Sequence, residues 1–113
     1  MPLLVKQMTK VIVNPGICGF NATIEAVYSG GVVRLQIDSE CKDIKKLAET
    51  LPEVSSQDLR SSKSFTENKI YKNAARCIRH FSCPIPCAIM KAIEVELGLA
   101  LKKNVTITFI NEL

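Results

Sequence analysis

Two alternating runs of residues meet at Gly30-Gly31, and no other stretch of the chain restricts the fold so strongly. Before the glycines, Ala22, Ile24, Ala26 and Tyr28 are interleaved with polar Thr23 and Glu25; after them, Val33, Leu35 and Ile37 alternate with Arg34, Gln36 and Asp38. A period of two belongs to a half-buried β-strand, and a glycine pair supplies the positive φ angles of a two-residue hairpin turn. That turn dictates the register: Tyr28 opposite Val33, Ala26 opposite Leu35, Ile24 opposite Ile37, and Phe20 opposite Cys41. The apolar positions match across the pair, so one face of the hairpin must be covered.

The rest of the chain supplies a third strand and the cover. Residues 10–14, Lys-Val-Ile-Val-Asn, form a β-branched run stopped by Pro15-Gly16. Beyond Cys41, Ile44, Leu47, Ala48 and Leu51 recur at helical spacing and end near Pro52. The Ser-rich stretch 54–65 reads as a short helical turn followed by a loop. Thr66 can cap a helix carrying Ile70, Tyr71, Ala74, Ala75 and Ile78. Pro84 suits the first position of another helix, with Cys83 as its cap, Ile85, Ala88, Ile89, Ala92, Ile93 and Leu97 as its apolar stripe, and Gly98 as its stop. Residues 104–110, Asn-Val-Thr-Ile-Thr-Phe-Ile, alternate as a final strand that can join the sheet. The expected fold is α+β: an antiparallel sheet in the order β-β-β-α-α-α-β with helices packed on one face.

At 113 residues this is a single domain, 1–113, with one core and no room for separate cofactor and substrate modules. Hydrophobic residues at 47% and charged residues at 23% exclude a disordered chain. There is no apolar run of the ~20 residues that spans a bilayer and no signal-peptide pattern, so a cytoplasmic protein without a membrane partner is expected. The net charge of +4 comes with two Tyr, four Phe and no Trp, leaving little aromatic surface for stacking bases; nucleic acid is a disfavoured partner. Gly-rich phosphate loops, G-x-S-x-G and H-E-x-x-H are all absent, so the sequence offers no enzymatic machinery of those kinds.

Five cysteines then carry the chemistry: Cys18, Cys41, Cys77, Cys83 and Cys87. In a reducing compartment an odd set of thiols points to metal, redox chemistry or packing rather than a disulfide framework. Cys18 and Cys41 share the parity of the apolar hairpin face if the chain stays extended, and Gly16 and Gly19 let the backbone turn tightly around Cys18. Cys83 and Cys87 lie four apart at a helix start, where the helix dipole favours a thiolate. If that helix starts at the Cys18 and Cys41 end of the sheet, four sulfurs converge, a donor set suited to zinc or an iron-sulfur cluster. Cys77 reads as structural, and His80 as a surface group with a minor claim as substitute ligand.

The placement of Cys18-Gly19 after a strand, Cys41 opening a helix and Cys83 opening a late helix resembles the NifU/IscU-type iron-sulfur scaffold domain over residues 10–98. The resemblance implies three cysteines that assemble a cluster for delivery to other proteins. The chain departs from that pattern with Phe20 where the family has Asp, and with Cys87 as a fourth thiol. Separately, Cys83-Pro84-Ile85-Pro86 is similar to the Cys-Pro-x-Pro signature of TusA-type sulfur carriers, which implies a persulfide on Cys83. An interaction module whose cysteines only fill the core is the remaining alternative. Lys69, Lys72, Arg76 and Arg79 give one helix a basic side, a docking face for an acidic partner protein.

Overall fold

The computed structural model describes residues 7–111 and forms the expected α+β fold. In chain order the elements are β1 (Thr9–Val13), β2 (Ala22–Ser29), β3 (Val32–Ser39), α1 (Lys42–Thr50), β4 (Glu53–Ser55), α2 (Ser56–Ser61), α3 (Lys69–Cys77) and α4 (Ile85–Glu96). The sheet is four-stranded and antiparallel throughout, in the order β1-β2-β3-β4. Its hairpin has the register dictated by the turn: Tyr28 pairs with Val33, Ala26 with Leu35 and Ile24 with Ile37. Gly30 and Gly31 occupy the left-handed region at φ 60° and 82°, as a two-residue turn between twisted strands requires.

One face of the sheet is covered. Ala22, Ile24, Ala26, Val33, Leu35 and Ile37 are buried against Ile44 and Leu47 of α1 and Ile85, Ile89, Ala92 and Ile93 of α4. α4 lies across β1 and β2 while α1 lies along β3, and α3 fits between the two helices through Ile70 and Ala74. Tyr28, aligned with the inward set, is 43% exposed because the hairpin tip projects past the helices. The wet face carries Lys10, Glu25, Arg34, Gln36 and Asp38, with a Lys10–Glu25 ion pair at 3.6 Å.

The position of the fourth strand is corrected. Residues 104–110 form no strand, and every residue from 101 to 111 is exposed. Gly98, at φ 76°, turns the chain off α4, the Leu99 N–H closes on the Glu94 carbonyl at 2.8 Å, and the segment then leaves the body without a ladder partner. Alternation equips a segment to be a strand, but a partner edge must be within reach. The outer position beside β3 is taken instead by Glu53–Ser55 from the Ser-rich stretch, which the short α1–β4 connection returns to the sheet. Two caps also shift. Asn68, not Thr66, opens α3, its Oδ1 accepting from the N–H groups of Ile70 and Tyr71 at 2.9 and 3.2 Å. Pro84 occupies the N-cap position of α4, one residue later than expected. Among the described residues no helix is long and apolar enough to cross a membrane; residues 1–6, part of the stretch read for a signal peptide, fall outside them.

Candidate functional site

The end of the sheet opposite the Gly30-Gly31 turn gathers three of the cysteines. Cys18 sits in the β1–β2 connection, where the Gly19 N–H closes a turn on the Gly16 carbonyl at 3.0 Å; both glycines have positive φ, and the thiol is exposed. The chain is therefore not extended there, and the parity expected for Cys18 gives way to placement by the turn. Cys41 is the N-cap residue of α1, its own N–H bonded to Ser39 Oγ at 3.1 Å, and it packs half-buried on the core. Cys83 immediately precedes Pro84, also half-buried on the core. The sequence thus puts two of these thiols at the starts of α1 and α4, where the helix dipoles favour negative charge.

Burial, the largest cause, pushes the Cys83 thiol above its ordinary value; the Ile85 N–H, hydrogen-bonded to the sulfur, opposes this, and the charges of Cys41, Cys18 and Asp43 push it further up. Three of the four expected ligands therefore share one electrostatic neighbourhood. Cys87 lies on the exposed side of α4, and its charge is felt by Tyr71 of α3, whose hydroxyl is raised by burial first, then by Cys87 and Glu94. As arranged, no group of three or more His, Cys, Asp or Glu side chains among the described residues can hold a metal ion. Thiols are the soft donors that a thiophilic ion takes.

An acidic residue of α1 belongs beside these thiols. Asp43, in the first turn of α1, is 6% exposed and accepts from both the backbone N–H and the Nε of Arg79, at 3.2 and 3.3 Å. The Arg79 backbone hydrogen bond is the main cause holding its carboxyl below the usual range; desolvation opposes it, and the Arg79 guanidinium and His80 add to the lowering. Arg79 is thereby drawn away from the basic side of α3. Lys69, Lys72 and Arg76 remain, lining an open cavity of about 490 Å³ with Asp58 and Glu67 between α2 and α3. Exposed apolar side chains lie close to the thiols in sequence: Ile17 precedes Cys18, Phe20 follows it by two residues, and Phe81 precedes Cys83 by two, with Ile17 and Phe81 fully exposed.

Residues 9–109 match a single family, DUF6951, described as a family of unknown function. The chain belongs to DUF6951. The match spans the whole sheet and all five cysteines, and runs on through the exposed segment as far as Phe109. No curated protein and no solved structure matches this DUF6951 chain.

Proposed function

We propose that this chain is a small thiol-based binding protein for zinc or an iron-sulfur cluster, held by Cys18, Cys41 and Cys83, and that it acts as a scaffold or carrier rather than as an enzyme. The observation that carries the reading is placement: Glu96 fixes the end of α4 to Thr9 and Tyr28 near the hairpin turn, so the start of α4 with Cys83 lies toward the other end of the sheet, where Cys41 opens α1 and the β1–β2 connection carries Cys18. A thiol whose anion is disfavoured chiefly by burial, as at Cys83, is better satisfied beside a cation. Binding there would release the thiol protons. A bound metal or cluster supplies Lewis acidity or electron storage; the residues themselves supply soft donors, helix starts that favour negative charge, and exposed apolar side chains for a partner protein. The sulfur-carrier alternative through Cys83 is weakened by the same shift, since a carrier thiol works as its thiolate.

Anaerobic reconstitution tests the reading, followed by counts of zinc, iron and acid-labile sulfide. Cys18→Ser, Cys41→Ser and Cys83→Ser should each abolish stoichiometric binding, while Cys77→Ser should not. Retention by Cys87→Ser supports the three-thiol set, and loss would extend it to four. Absence of both metals from the reconstituted protein, or equal retention by all variants, overturns the proposal.

A further inference from the structure

We propose that residues 104–110 form an exchange arm that adds as a strand to the free edge of β1 in a second copy of this chain. Val105, Ile107 and Phe109 alternate with Thr106 and Thr108, a pattern that gives one apolar and one polar face when the segment is extended. Yet Ile107 and Phe109 are 82% and 92% exposed, and the segment contributes nothing to the core of its own body. The molecule is correspondingly drawn out, at 59 × 30 × 28 Å, with a radius of gyration of 14.9 Å against about 13 Å for a compact domain of this size.

The same chain carries the matching acceptor. Among the described residues β1 is paired on one side only, to β2. Edge strands are commonly blunted by shortness, charge or proline. β4 is blunted by having only three residues, whereas β1 offers five, with one charge, no proline and Ile12 at 73% exposure. At about 3.3 Å per residue the arm spans the full length of β1. Docked there, one of its faces meets half-buried Val11 and Val13 beneath α4, and the other meets Ile12.

A second copy is the occupant because donor and acceptor are both present in every molecule, so mutual exchange satisfies both arms and both edges with one closed two-fold interface. The arm leaves its body just past Glu96, which is hydrogen-bonded to Thr9, so each arm departs beside the start of its own β1, the element through which the two copies meet. The DUF6951 match continues through Phe109, which makes the arm part of the domain and not an appendage.

Sedimentation of the full chain should give a dimer, and the double variant Ile107→Asp/Phe109→Asp a monomer with an unchanged circular dichroism spectrum, because both side chains are exposed and outside the core of their own body. Hydrogen exchange should show protection of residues 9–13 and 104–110 that rises together with protein concentration. A full chain that stays monomeric, a dimer that survives the double variant, or arm protection without protection of β1 would overturn the proposal.

Discussion

Thr9 Oγ1 donates a 2.7 Å hydrogen bond to Glu96 Oε1, joining the first residue of β1 to the last of α4 in the buried interior, while the Tyr28 N–H donates to Glu96 Oε2 at 2.9 Å. One carboxyl thus ties the helix end to two strands. Glu96→Ala leaves a buried hydroxyl and a part-buried N–H without their acceptor and should cost about 1–3 kcal/mol. Glu96→Gln keeps one oxygen and should cost less. Urea denaturation of the three proteins checks the ranking, and an alanine variant as stable as wild type would remove the carboxyl from the list of structural supports.

Asp43 gives stability a pH dependence of known sign. Its carboxyl is held below the ordinary value of 3.8 in the folded chain, so its contribution is complete above the unfolded value and is lost as the pH falls through the folded one. The gap in urea midpoint between wild type and Asp43→Asn should therefore be widest near neutrality and close in strong acid. A gap that stays constant on acidification would assign the effect to packing instead of charge.

The raised Cys83 thiol should be the slow one. At neutral pH in metal-free protein, iodoacetamide should modify exposed Cys18 and Cys87 well before Cys83, whose rate should still be climbing above the ordinary thiol value of 9.0. Peptide mass spectrometry over a pH series resolves the sites. Early modification of Cys83 would revive its role as a persulfide carrier.

At the hairpin tip, Gly31 has φ 82° and nothing within 4 Å of where a Cβ would stand, so a substitution there meets backbone strain alone. Gly31→Val should cost roughly 1–2 kcal/mol and Gly31→Asn less, because Asn tolerates the left-handed region. Thermal melts of both variants test this, with equal loss in the two pointing to a steric cause.

The hairpin was legible because three local signals agree there: alternation on both sides, a glycine pair, and apolar faces that match in one register. The helical cover was legible for the same kind of reason, since Ile44 and Leu47, or Ile85, Ile89 and Ile93, repeat within a single element. What local pattern does not encode is which segment reaches an open edge. Residues 104–110 have the better strand pattern, but Glu53–Ser55 is the segment returned beside β3. Around the thiols, element order put Cys41 and Cys83 at helix starts on one end of the sheet, whereas Cys18 depends on a turn closed by Gly16 and Gly19, which parity does not describe. The pairing of Asp43 with Arg79 was not legible, because the two lie 36 residues apart and no spacing rule joins them.

Helix α4, far along the chain from the strands it covers, completes the core. The hairpin and β1 leave the ribosome early, but Ile85, Ile89 and Ile93, which cover them, and Glu96, which meets Thr9 across 87 residues, follow much later. From Ser39, the end of β3, to Glu96, the end of α4, is an interval that at about 5–20 residues per second leaves the hairpin waiting roughly 3–11 s for its second cover. Until α4 is made, the apolar side of β1 and β2 that it packs on has no helical cover, because α1 lies along β3.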